Sequence, residues 1–91
     1  PSAKLAAMAE TANMPCMLGS MPELGIGTLA GLQLAVTSRA FTWGAELIGP
    51  WMFGAHLLKK TPRLVKGRLM LPKGPGLGID VDERELARYS C

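Results

Sequence analysis

Met14-Pro15-Cys16-Met17-Leu18-Gly19-Ser20-Met21-Pro22-Glu23-Leu24-Gly25-Ile26-Gly27-Thr28 is the stretch whose reading decides the fold. Pro15 to Leu18 is short and continuously apolar, the pattern of a strand buried on both faces in a parallel sheet. Gly19 to Gly27 is rich in turn formers and carries a lone acid, Glu23, among apolar neighbours. Upstream, Ser2 to Ala12 are strong helix formers, with Leu5, Met8, Ala9 and Ala12 at the spacing of one buried face. Ser2 is the expected N-cap, and Asn13 can take the left-handed conformation that ends a helix, with Pro15 blocking continuation. Downstream, Thr28 to Thr37 repeats a helical pattern through Leu29, Leu32, Gln33 and Val36, with Ala30, Gly31 and Ala35 small enough for close packing. Helix, strand, loop, helix is the repeating unit of an α/β fold. A single parallel strand leaves both its edges without hydrogen-bond partners, so its neighbours are expected from other sequence.

Beyond Ser38 the pattern becomes irregular: Phe41, Trp43, Leu47, Ile48, Pro50, Trp51, Met52 and Phe53 form an apolar apron interrupted by Gly44, Gly49 and Gly54. Two short strands are expected on either side of Lys66-Gly67, followed by a stiff, turning connector from Pro72 to Gly78. Asp82 is placed to cap a last helix, Glu83 to Tyr89, with acids in its first turn and Arg88 in its last. The division expected is residues 1–49 as a helix-strand-helix unit and residues 50–91 as a tail with a hairpin and a short helix.

Composition narrows the function classes. With 91 residues and 48% hydrophobic content the chain reads as globular but small, with little core to spare. The net charge of +3 reflects Lys59, Lys60, Arg63, Lys66 and Arg68, a cluster without interleaved aromatics for stacking on bases, so nucleic acid is not an expected partner. Met14 to Val36 is apolar, but Pro15 and Pro22 would break a spanning helix and Glu23 would cost about 2.5 to 3.5 kcal/mol at its centre, so no membrane span is expected. Gly25, Gly27 and Gly31 are spaced one residue too long for a dinucleotide fingerprint. Cys16 and Cys91 make no disulfide framework, which fits a reduced, cytoplasmic setting, and neither is spaced with His56, the lone histidine, as zinc ligands are. Pro1-Ser2-Ala3, without an initiator Met, reads as the start of a segment of a longer chain.

Three stretches carry a resemblance: Gly19-Ser20-Met21-Pro22-Glu23-Leu24-Gly25-Ile26-Gly27-Thr28, then Trp43-Gly44-Ala45-Glu46-Leu47-Ile48-Gly49-Pro50, then Gly74-Pro75-Gly76-Leu77-Gly78-Ile79-Asp80-Val81-Asp82. In this order and spacing they resemble the muconate cycloisomerase group of the enolase superfamily, and the likeness extends over nearly the whole chain. The resemblance implies the C-terminal part of a modified (β/α) barrel, with Cys16 to Leu18 as the family's eighth strand and a tail returning to an N-terminal capping domain absent from this sequence. It also implies a magnesium or manganese ion bound by three acids, and catalytic lysines, none of which has a counterpart here, so no metal ligand is assigned. A small carboxylate is the implied substrate, the rest of the barrel and the cap are the implied partners, and the parent enzyme is an implied homo-oligomer.

By the same resemblance Glu23 is the catalytic residue, with Ser20, Met21 and Gly25 as substrate-binding neighbours. The chemistry has a clear need for such an acid. Taking a proton from beside a carboxylate, or adding a carboxylate across a double bond, leaves an enediolate-like anion whose charge a metal and hydrogen-bond donors must absorb. A glutamate donates only while protonated, a form that apolar surroundings favour. Pro22 stands where the family usually has a residue such as leucine, and Leu24 where it often has glycine, so a racemase, an epimerase or a succinylbenzoate synthase of the same branch stays open beside a cycloisomerase. A non-catalytic assembly module is the reading from another class. Glu46 reads as a structural acid, Trp43 and Trp51 as core or domain-contact residues, and His56 as a surface or satisfied histidine.

Overall fold

The structure, a computed structural model, describes residues 1–90; Cys91 lies outside the described residues, and with it the sequence reading of that cysteine. Helix α1 (Ser2–Thr11) leads into strand β1 (Cys16–Leu18), helix α2 (Gly25–Ala35) and strand β2 (Phe41–Ala45). A short helix α3 (Gly49–Met52), a hairpin of β3 (Leu64–Val65) and β4 (Arg68–Leu69), and helix α4 (Glu83–Arg88) complete the chain.

Strand β2 corrects the expectation of a lone strand followed by an irregular apron. Phe41, Thr42 and Trp43 are β-branched or aromatic, and they pair in parallel with β1, Cys16 opposite Phe41 and Leu18 opposite Ala45. The two ladder ends are closed by the Cys16 N–H on the Ala40 carbonyl and the Glu46 N–H on the Leu18 carbonyl. Two residue steps on β1 therefore match four on β2, and Gly44, at φ +79°, takes up the irregularity in a conformation that favours glycine. Cys16–Leu18 is thus not the last strand of the unit: strand, helix, parallel strand is the arrangement, joined through α2.

Helix α2 begins three residues before the expected Thr28, since the N–H groups of a first turn have no intrahelical partner to lose and tolerate glycine there. It lies between the sheet and the tail. A Cβ on Gly31 would come within 3.1 Å of Leu47 and 3.3 Å of Leu18, so the helix approaches the sheet at that glycine, as its small size suggested. Leu29, Leu32, Leu47 and Leu58 form the core, with Leu18, Ile26, Leu69 and Ile79 packed on it. The tail is held by the bridge between Leu58 and Val81 and by the Asp82 N–H on the Leu57 carbonyl.

Several local expectations hold. Asn13 has φ 53° at the end of α1, and Lys66 and Gly67 both have positive φ in the β3–β4 turn, as a two-residue hairpin demands. The Asp82 carboxylate accepts from the Arg84 and Glu85 N–H groups, capping α4, which ends at Arg88 and not at Tyr89. Ser2 is not a cap: it is already helical, and no side chain bonds the first turn of α1.

The apolar face expected of α1 is uncovered. Ala6 is buried, whereas Leu5 and Met8 are 64% and 67% exposed, because within these residues only the alanine side of the helix has anything to pack against. Cys16 and Leu18 are half-buried and Met17 is exposed, so β1 lacks the two covered faces its composition calls for. The radius of gyration is 14.3 Å, above the roughly 12 Å of a free-standing domain of this length.

Candidate functional site

Because β1 and β2 are parallel, both deliver their C-terminal ends to one edge of the sheet, the side on which barrel enzymes carry their active sites. The loop after β1 holds Ser20, Met21 and Glu23, and the segment after β2 holds Glu46 to Gly49. The two are tied together where the Ser20 hydroxyl donates to the Glu46 carbonyl oxygen.

Glu23 is half-buried, and its Oε2 atom is enclosed with no hydrogen-bond partner among the described residues. Two glycines shape its seat. A Cβ on Gly27, one turn further along in α2, would stand 2.7 Å from the Glu23 Cβ and 2.9 Å from its Cγ. A Cβ on Gly49, at the start of α3, would overlap the Glu23 carbonyl oxygen and lie 2.8 Å from its carbonyl carbon. The side chain is therefore pressed on α2 and the main chain on α3. Glu23 also stands just outside Leu24, the N-cap of α2, at the end of the helix that favours negative charge.

The three residues expected to contact substrate are placed differently from one another. Met21 is 80% exposed on the loop, Ser20 has its hydroxyl engaged with Glu46, and Gly25 is buried as the first residue of α2, facing Leu58 and Pro62. Glu46 is tied in through its main chain, its N–H on the Leu18 carbonyl and its carbonyl accepting from Ser20, while its side chain is exposed. Gly27 and Gly49 were missed. Gly27 had a local signal, a helical position four residues after an acid that stands just ahead of the helix, but the approach of Gly49 spans the chain from one strand end to the next and leaves no trace in local pattern.

Among the described residues no three His, Cys, Asp or Glu side chains come together, so they offer no fit to a metal ion. Nor is any described helix long and apolar enough to cross a membrane.

Residues 1–85 match the model of the family described as enolase C-terminal domain-like. The chain belongs to that family. Muconate cycloisomerase 1 of Pseudomonas putida is 38% identical over 87 residues, which are 96% of this chain and 23% of that protein. Chloromuconate cycloisomerase of Pseudomonas sp. (strain P51) is 36% identical over 96% of this chain and 24% of its own length. Among solved structures, the muconate lactonizing enzyme of P. putida superposes with a TM-score of 0.89 at 38% identity, and that of Klebsiella pneumoniae with 0.88 at 32%. Both alignments cover 96% of this chain and 24% of the solved one, so the chain spans about a quarter of the length of its relatives. The fold is that of the C-terminal part of an enolase-superfamily barrel.

Proposed function

We propose that this chain is the C-terminal quarter of a muconate or chloromuconate cycloisomerase, in which Glu23 hydrogen-bonds the substrate carboxylate as it becomes an enediolate-like anion. The observation that carries the reading is the position of Glu23: half-buried at the C-terminal edge of a parallel strand pair, with one carboxyl oxygen enclosed and unpartnered. The relatives named above are cycloisomerases or muconate lactonizing enzymes, which supports the reaction class. Hydrogen-bonded to the substrate there, Glu23 would stabilise the charge that builds on the carboxylate oxygens. Met21 would line the substrate side of the loop, Ser20 would hold that loop against β2, and Gly25 would contribute main-chain groups alone.

The described residues of this chain do not fit magnesium or manganese, and no step of theirs is routed through a metal; the ligands, like the catalytic lysines, would belong to the remainder of the parent enzyme. That remainder, barrel and capping domain, is also the proposed cover for the exposed faces of α1 and β2, in a cytoplasmic homo-oligomer.

The test is Glu23→Gln in the full-length parent. A glutamine amide keeps the size of the side chain but is a far weaker hydrogen-bond acid than a carboxyl, and loss of a preorganised donor at a developing oxyanion lowers kcat by about 100- to 1,000-fold. Turnover of cis,cis-muconate should fall by that order with the fold retained by circular dichroism. Unchanged turnover would remove Glu23 from the mechanism.

A further inference from the structure

We infer that Gly27 and Gly49 are positioning residues, a two-sided seat that fixes the carboxyl of Glu23 for the reaction proposed above, on which this inference rests. Neither glycine has a positive φ, so neither is required by its own backbone conformation. Each lies in the first turn or turns of a helix, where alanine would be favoured over glycine by intrinsic propensity. What excludes a side chain at both places is the same residue. At Gly27 the obstruction is the Cβ and Cγ of Glu23, the near end of the side chain, which cannot swing aside without turning the carboxyl. At Gly49 the obstruction is the main chain of Glu23, its carbonyl and amide atoms, which can yield only by moving the loop.

The two contacts act on different degrees of freedom. Gly49 sets where the Glu23 backbone stands relative to the end of β2, and Gly27 sets the direction in which its side chain leaves. Together they join the loop after β1, the first turn of α2 and the start of α3 on one residue, whose Oε2 is enclosed.

The experiment uses the full-length enzyme with cis,cis-muconate. A displacement on the order of 1 Å at a reacting group can lower the rate by about 100-fold, and Gly27→Ala should lower kcat by that order with KM changed far less and the fold intact. Gly49→Ala should lower kcat at least as much. Gly54→Ala, where an added Cβ meets nothing within 4 Å, is the control and should leave kcat unchanged. In the Glu23→Gln background Gly27→Ala should bring no further loss, since the group it misplaces is already disabled; a purely structural role would add its own loss there.

A folded Gly27→Ala enzyme with wild-type kcat, beside an inactive Glu23→Gln, overturns the seat while leaving the proposed role of Glu23 standing. An additive loss in the Gln background overturns it as well, and so does failure of Gly27→Ala to fold, because the methyl would then be disrupting more than one side chain. Should Gly49→Ala not fold, Gly27→Ala alone decides. Unchanged turnover in Glu23→Gln removes both the seat and the function it serves.

Discussion

Leu58, on the tail, lies directly over Gly25, the first residue of α2: a Cβ on Gly25 would come within 2.6 Å of the Leu58 Cδ1 atom and 3.6 Å of Pro62. The glycine lets a buried leucine close over the start of the helix that follows Glu23. Leu58 is 6% exposed and belongs to the same cluster as Leu29, Leu32 and Leu47, so the tail is anchored on α2 at this point.

The pair should therefore behave as a unit in a double-mutant cycle. Leu58→Ala removes a buried side chain and should destabilise the parent by about 2 to 5 kcal/mol, while Gly25→Ala overpacks the contact and should cost about 1 to 3 kcal/mol. Combined, the two should cost less than their sum, because truncating Leu58 makes room for the methyl on Gly25. Denaturant unfolding of the four proteins measures this. Strict additivity would mean that the two side chains do not share the space.

A second relationship joins α1 to the turn before β2. The Glu10 carboxylate accepts from the Ser38 hydroxyl at 2.7 Å and from the Arg39 N–H at 3.1 Å. These bonds, the hydroxyl first, stabilise the carboxylate and hold the pKa of Glu10 below the ordinary glutamate value. A carboxyl lowered on folding stabilises the fold in full above its unfolded value and loses that contribution as pH falls through its folded value. Protection of the Arg39 amide against hydrogen exchange should accordingly drop as pH is taken from neutral to about 3. Glu10→Gln should show weaker protection at neutral pH and little further change on acidification. Because Glu10 is exposed, the effect should be local, and a shift in global stability of the same shape would point to other carboxyls.

What the sequence disclosed and what it withheld divide along the range of the interactions involved. Asn13 with its left-handed φ, the Lys66-Gly67 turn and the Asp82 cap were all legible, since each is decided by a residue's own backbone preference or by a bond two or three residues away. Glu23 was legible as the lone acid after an apolar run. The β2 strand was not: glycine at position 44 and the absence of alternation disguised five strand residues as an apron, and only the partner edge of β1 makes them a strand. The burial expected of Leu5 and Met8 also fails within these residues, for the spacing on α1 states which face wants a cover but not whether one is present.

That uncovered surface leads to the remaining prediction. Trp43 is 70% exposed and Trp51 46%, and Leu5, Met8, Met14 and Ile48 are each more than half exposed. Soluble monomers rarely leave so much large apolar surface bare, and parallel strands rarely stand with a free edge. Produced alone, the 91-residue chain should therefore bind a hydrophobic dye, associate in a concentration-dependent way and melt without a sharp transition. Its tryptophan emission should be shifted to the red of the same tryptophans in the full-length parent, where the rest of the barrel would cover them. Sedimentation and thermal circular dichroism decide the matter: a cooperative transition in a dye-free monomer would mean that the chain is a module sufficient in itself, and the assignment of β1 and β2 as staves awaiting neighbours would fall.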